Sequence, residues 1–193
     1  MMTQTLPVGI AATAEGRIAA LRNRIAGACH AIRVASIAWA VWTLAMIVYV
    51  YADRDALAAR LSREYSIEPT SFSPAGYWAA FAVVLVDWSV TVLLVLAVWG
   101  LTRGYLGGEI FTADAARRLR AVGLVGFLVI GVDIGARPLQ YMLLSPDVPG
   151  KLPLYAWLQP QDLLYAIICG FLLALAVIFG SAAEIAEDNA QFV

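Results

Sequence analysis

Three charged residues lie inside long apolar segments of the sequence. Asp87 stands in "VVLVDWSV", and Asp133 and Arg137 stand in "VIGVDIGARPLQ". Charged side chains are costly within a bilayer, so they normally face the interior of a helix bundle and pair there or serve a working site. One arginine beside two carboxylates supports two interpretations. It forms an ion pair that fixes helix packing, or the uncompensated negative charge makes a ligand-binding or proton-responsive site.

The spacing of these residues brings them to a similar depth and to one face. With a rise of 1.5 Å per residue, Asp87 and Asp133 lie about 15 Å from the same membrane boundary and Arg137 about 10 Å. The intervals between Asp133, Arg137 and Gln140 place them on one stripe of a helix. We predict a buried charge cluster of Asp87, Asp133, Arg137 and Gln140. In it, Arg137 pairs with Asp133, with Asp87 or with both.

The opposite face of the same segment carries Gly131 and Gly135. Their G-x-x-x-G spacing suits close contact between membrane helices, so we predict a packing face there. Each of the other apolar segments offers one weakly polar stripe to a common interior. These stripes comprise Ser36 and Thr43, Asp87 and Thr91, and Asp162, Tyr165 and Cys169.

Four apolar segments must position these residues. The chain has 193 residues, of which 62% are hydrophobic and 14% charged, whereas a soluble domain carries about 25% charged residues. A helix needs about 20 residues to cross a bilayer, and the apolar runs at 34–52, 77–101, 121–144 and 161–183 are of that length. We predict an all-α integral membrane four-helix bundle. Its single domain, 34–183, lies between an N-terminal tail (1–33) and an acidic C-terminal tail (184–193).

Basic residues in the connecting segments set the predicted orientation. Four arginines precede the first span and four lie between the second and third, against four basic residues in the other two loops. Because basic loop residues favour the cytoplasmic side, we predict that both termini are cytoplasmic. The outer segment after the first span carries Leu57, Leu61 and Tyr65 among charges. This period predicts a short amphipathic helix on the membrane surface, with a partner-docking helix as the alternative.

Composition and motifs exclude several classes of function. A net charge of −1 gives no support for direct nucleic-acid binding. The single histidine, His30, adjoins Cys29 without a second ligand pair, so no metal site is predicted. The sequence has no hydrolase, zinc-protease or phosphate-loop motif. We therefore expect neither an enzyme nor a cofactor.

The predicted cytoplasmic loop has the most distinctive local sequence, "GGEIFTADAARRLRAVG" at 107–123. Two glycines end the second span, and Thr112 is suited to cap the next helix, with Asp114 in its first turn. Arg117, Arg118 and Arg120 then lie at headgroup level. We expect the acidic residues of the C-terminal segment to form a solvated helix end. The alternatives are that they pair with these arginines or that this face docks a cytoplasmic partner. The acidic residues are Glu184, Glu187 and Asp188.

This loop resembles the signature of a bacterial membrane family, domain of unknown function 2975. The resemblance rests on Gly108, Ile110, Phe111, Thr112, Arg118, Leu119, Arg120 and Gly123. Family members often carry Asn where this chain has Asp114 or a neighbour. The closing segment "FGSAAEIAEDNAQFV" is also similar to that of the family. The resemblance implies a small four-span, multi-pass protein of the bacterial inner membrane, without established activity and often encoded beside a small helix-turn-helix regulator.

Together these features predict a regulatory or accessory membrane protein. It would bind a partner protein, such as a cytoplasmic regulator, through the arginine-rich face, or sense a signal within the lipid bilayer. The alternative is a small-solute or ion transporter that uses the buried Asp and Arg residues. Four spans form a small bundle, so a transport path would require a homo-oligomer.

Overall fold

All regular structure in the described part of the chain is helical. The computed structural model describes residues 8–65, 73–109, 112–144 and 157–191. Within these ranges there are five helices and no strand: α1 (Val8–Ala52), α2 (Arg54–Tyr65), α3 (Pro74–Leu106), α4 (Ala113–Leu144) and α5 (Pro160–Gln191). The predicted all-α class is confirmed.

Four of the helices are long and apolar enough to cross a membrane. The candidate spans are Ile25–Ala52, Pro74–Leu106, Ala113–Leu144 and Pro160–Ala186. Each contains one of the apolar runs identified in the sequence. Their many exposed apolar side chains have a physical reason in this setting, because lipid tails replace water around a membrane bundle. The structure thus has the character of a multi-pass membrane protein.

Short polar signals begin and end the helices. Ser73 caps α3 by accepting a hydrogen bond from the Gly76 amide at 3.0 Å. Thr112 caps α4 in the same way, through the Ala115 amide at 3.1 Å. Between α3 and α4, Gly108 has a φ of +92°, a left-handed conformation that non-glycine residues rarely adopt. This glycine allows the tight reversal that makes α3 and α4 antiparallel neighbours.

Residues 8–33, predicted as part of a polar tail, are helical and continuous with the first span. The segment has no proline and is rich in alanine and arginine, which favour helix. At 1.5 Å per residue the 45 residues of α1 extend about 68 Å, roughly twice the thickness of a bilayer core. The helix therefore continues well beyond its membrane span.

The long helices pack in the order α1, α3, α4 and α5, so that α3 contacts α1 and α4, and α4 contacts α3 and α5. Among the described residues, no comparable contact joins α1 to α5. We call the end that carries α2 the α2 end, and the end at the α3–α4 turn (107–112) the arginine end. The bundle is thus an open arc with a gap between its first and last helices.

An aromatic and aliphatic core lies at the α2 end. The Tyr77 hydroxyl donates to the Tyr51 carbonyl oxygen, which joins α3 to the end of α1. Leu57 of α2 is only 1% exposed and packs into the same core. The segment after the first span forms α2, and its Leu57 faces protein because this aromatic core offers it an apolar contact. Leu61 lies outside the residues whose side chains are described, as does Tyr65.

Candidate functional site

Arg137 stands at the centre of the polar residues inside the bundle. Its guanidinium donates to Asp133, one turn earlier on α4, and forms a fork with Asp162 of α5. The two bonds of the fork measure 2.9 and 2.5 Å. The Arg137 side chain is 13% exposed and Asp162 only 3%. Planar two-bond pairs of this kind are the strongest arginine–carboxylate contacts, so Arg137 joins α4 to α5.

Asp162 is the residue that the sequence prediction missed in this role. Asp87 was the expected partner across the helix interface, and the structure contains no ion pair between Asp87 and Arg137. Asp162 is available because it lies in the first turn of α5, where it also accepts from the Gln159 amide at 2.8 Å. Its place on the polar stripe of the fourth span was a usable signal.

Asp87 nevertheless lies beside the ion pairs. It lines the same cavities as Asp133 and interacts electrostatically with both Asp133 and Arg137. Its Oδ1 atom is buried and accepts no hydrogen bond from any described residue. A buried acceptor without a donor costs about 1–3 kcal/mol. Asp87 therefore contributes charge to this region without the compensation that Arg137 gives the other two carboxylates.

Gln140 belongs to the polar stripe of α4 as predicted, and its contact is with α1. The Gln140 amide donates to the Tyr51 hydroxyl at 2.7 Å. The stripe of α4 therefore bonds to α5 through Arg137 and to α1 through Gln140. Both contacts lie near the α2 end of the bundle.

Two cavities meet at Asp87 and Asp133. The larger has a volume of about 680 Å³, is lined by all four long helices and has mostly apolar walls. The smaller, of about 460 Å³, lies at the α2 end and is more polar, with Arg137 and Gln140 in its lining. Cavities of roughly 300–1,000 Å³ are the usual size for small-molecule sites. The structure combines one apolar chamber with a polar one, and two carboxylates line both.

Within the chain, the close contacts on α4 are made by Gly123 and Gly126 and not by the predicted pair Gly131 and Gly135. A Cβ atom added at Gly131 or Gly135 would meet nothing within 4 Å. At Gly126 it would lie 2.5 Å from the Cys169 sulfur, and at Gly123 it would lie 2.7 Å from Leu173. The polar stripe of α4 faces the interior of the bundle, and Gly123 and Gly126 lie against α5. The face with Gly131 and Gly135 consequently points away from the bundle.

The distinctive loop motif builds the arginine end. Arg118 forms an ion pair with Glu109 at 3.0 Å and lies against Gly104, where a Cβ would be 2.0 Å from its Nη1. Arg117 pairs with Asp114 one turn away and is 79% exposed on its side chain. These contacts hold Arg117 and Arg118 to the turn itself. Phe111 lies outside the described residues.

The alternative pairing between these arginines and the C-terminal segment is absent among the described residues. Glu184 is exposed and forms no ion pair with Arg117, Arg118 or Arg120. Glu109 and Asp114 are nearer in sequence, so they pair with less loss of chain entropy. The side chains of Glu187 and Asp188 are outside the described residues. Arg120 is also exposed, and it forms no ion pair with the described residues, so it adds positive charge to this end.

The described residues contain no group of three or more metal ligands. Comparison with known proteins gives one match: the profile of the family described as "Protein of unknown function (DUF2975)" matches residues 57–193. This range includes α2 to α5, with the ion pairs and the arginine end, and excludes α1. No curated protein and no solved structure matches the chain.

Proposed function

Because the chain belongs to this membrane family of unknown function, we propose from its geometry that it is a regulatory or accessory protein that senses a small molecule within the membrane. The observation that carries the proposal is the cavity of about 680 Å³ between the four long helices. Ligand pockets are typically concave, mostly apolar and equipped with a few convergent polar groups. This cavity has all three properties.

The gap between α1 and α5 supplies the entry route in this proposal. Trp39 of α1 and Tyr165 of α5 both line the cavity and are 50% and 54% exposed. Since helix packing leaves this side open, an apolar molecule dissolved in the bilayer enters without crossing water. Occupation of the cavity then favours one spacing of α1 and α5 over another.

The arginine end provides the output in the same proposal. The α1 helix lines the cavity and continues past its membrane span as one helix. A change in its position is thus carried to the side of the exposed Arg117 and Arg120. We propose that a regulator protein on that side binds there, without an enzymatic step or cofactor in this chain.

A cavity-filling variant tests the proposal. The protein would be purified from its native membrane, and the small molecules bound to it identified by native mass spectrometry. Thr91→Trp fills the cavity from α3, whereas Ser89→Trp, on the exposed face of the same helix, is the matched control. We expect a bound molecule with the wild type and Ser89→Trp but not with Thr91→Trp. Equal occupancy in all three, or no bound molecule at all, contradicts the proposal.

Transport is the second candidate, and the smaller polar cavity favours it. That cavity gives Asp87 and Asp133 a polar route to the α2 end, as a proton or cation pathway requires. Reconstitution into liposomes separates the two functions. A sensor produces no solute-dependent proton flux, and one stable protein partner should co-purify with it. Flux that is abolished by Asp87→Asn, from a protein that purifies only with copies of itself, supports the transporter and contradicts the sensor.

A further inference from the structure

The charge in the larger cavity points to the class of its ligand. Asp87, Asp133 and Asp162 all line this cavity, and no arginine, lysine or histidine does so among the described residues. Arg137 reaches Asp133 and Asp162 from the adjoining polar cavity and bonds to both. Three carboxylates thus share one guanidinium. The end of the cavity next to these residues carries excess negative charge.

Asp87 is the carboxylate that this arrangement leaves for a ligand. It lines the cavity, and no described residue donates a hydrogen bond to its carboxylate. Its Oδ1 is enclosed by protein, so the other carboxylate oxygen is the one that a ligand in the cavity can reach. Its neighbour Trp88 is held in place by a hydrogen bond of 3.1 Å from the indole nitrogen to the Ala40 carbonyl of α1. A cationic group beside Asp87 would supply the missing charge, and the burial would strengthen the contact, because screening by water is weak there.

Aromatic rings line the same cavity. Trp39, Trp88 and Tyr165 come from three different helices, and the faces of such rings attract cations, tryptophan most strongly. The remaining walls are largely aliphatic, with Leu94, Val98 and Leu172 among them. A metal ion would leave these walls without contacts. An organic cation with a sizeable apolar body matches both the acidic end and the apolar walls.

We propose that the cavity binds a monovalent organic cation with an apolar body. The cationic centre lies against Asp87, and the body fills the space between the four helices. The ligand enters from the bilayer through the gap between α1 and α5. This inference rests on the proposed small-molecule cavity and adds the charge of its ligand.

Two probes of nearly equal shape and opposite charge test the inference. Tetraphenylphosphonium is the cation and tetraphenylborate the anion, and binding of each to the purified full-length protein is measured by equilibrium dialysis against protein-free micelles. We expect the cation to bind and the anion not to bind. Asp87→Asn should weaken binding of the cation about tenfold or more, because it removes a carboxylate charge that attracts the phosphonium where screening by water is weak.

Two variants control for folding and for general surface charge. Asp87→Glu retains the carboxylate and should restore most of the cation binding. Asp114→Asn removes a carboxylate from the arginine end, far along α4 from Asp133 at the acidic end of the cavity, and should leave the binding unchanged. If Asp87→Asn does not fold, loss of binding in a Trp39→Leu variant that folds serves as the second measure of the site.

The outcomes separate this inference from the proposed function. Equal binding of both probes, or cation binding that Asp87→Asn and Trp39→Leu leave intact, overturns the charge assignment. The cavity proposal still stands in that case. Failure of both probes, together with a native ligand that Thr91→Trp excludes, likewise overturns only the charge assignment. Failure of both probes without any such native ligand overturns the inference and the proposed function together.

Discussion

Asp87 and Asp162 line the same cavity, but their carboxylates differ in the hydrogen bonds that they accept. Asp162 accepts two bonds from Arg137 and one from a backbone amide. The buried Oδ1 of Asp87 accepts none from the described residues. A partnered buried charge stabilises the fold only through its partner, whereas an unpartnered one costs stability. Asp162 is accordingly fixed by its bonds to neighbouring groups, and Asp87 is the carboxylate to which the proposal assigns ligand binding.

The same substitution at both positions tests this distinction. Asp162→Asn leaves Arg137 short of a buried counter-charge, so we expect the free energy of unfolding to fall by about 3 kcal/mol. Asp87→Asn removes an uncompensated charge, so stability should be unchanged or higher. Thermal unfolding of the purified protein in detergent, followed by tryptophan fluorescence, measures both. A large loss of stability in Asp87→Asn would show that this residue has a structural partner.

A double-mutant cycle addresses the ion pair directly. Arg137→Met alone leaves Asp162 as a buried charge without its partner, which costs about 3–5 kcal/mol. Adding Asp162→Asn removes that charge, so the double variant should be more stable than Arg137→Met alone. Residues in direct contact are expected to deviate from additivity by about 0.5–3 kcal/mol. Additive losses in the two single variants would mean that the fork contributes little to the fold.

The sequence was sufficient to predict one ion pair of Arg137 in this cluster and insufficient to predict the other. The bond between Asp133 and Arg137 follows from their spacing on one helix. The bond to Asp162 depends on where α5 begins relative to the end of α4, after the long segment between 144 and 160. No helical period determines that placement. Asp87 lies near the cluster, since it lines the same cavities as Asp133, but it has no direct bond to Arg137.

At the scale of helices, the contact between α4 and α5 is determined by which glycine face turns inward. G-x-x-x-G spacing identified Gly131 and Gly135, yet the close approach occurs at Gly123 and Gly126. Spacing shows that a helix has a narrow face but not which neighbour meets it. Here the polar stripe turns towards α5, and Gly126 lies on that stripe. The start of α4 was more predictable, because Thr112 carries a local capping signal.

Alanine substitutions test this assignment. At Gly126 an added methyl would lie 2.5 Å from the Cys169 sulfur, so Gly126→Ala should cost about 1–3 kcal/mol of stability through overpacking. Adding Cys169→Ala removes the obstructing sulfur and should recover most of this loss. Gly131→Ala meets open space and should raise stability by up to about 1 kcal/mol, since alanine favours helix more than glycine. Thermal midpoints in detergent measure all three variants.

A loss of stability in Gly131→Ala would contradict the assignment of that face. The face points away from the bundle within one chain, so such a loss would require contact with a second copy. Size-exclusion chromatography with light scattering on the wild type and on Gly131→Ala would then distinguish a dimer from a monomer. A homo-oligomer that forms through this helix face therefore requires Gly131 to contact a second copy.

At the scale of the whole molecule, the two ends of the bundle differ in chemistry. The α2 end holds the polar cavity and the aromatic core. The arginine end holds Arg117, Arg118 and Arg120, with Arg33 bonded to Thr102 at 2.9 Å nearby. Basic residues near span ends favour the cytoplasmic side. The orientation prediction therefore gives the polar cavity access from outside the cytoplasm, and it gives a cytoplasmic partner access to the arginines.

Reporter fusions test this orientation. Four spans place both termini on one side, so a fluorescent protein fused after residue 193 should fluoresce in the cytoplasm, and alkaline phosphatase fused there should be inactive. Alkaline phosphatase inserted between α2 and α3, at 66–72, should be active, because this segment is predicted on the opposite side. The inverse pattern would contradict the orientation. It would also place the polar route to Asp87 on the cytoplasmic side, and the exposed arginines could then bind no cytoplasmic regulator.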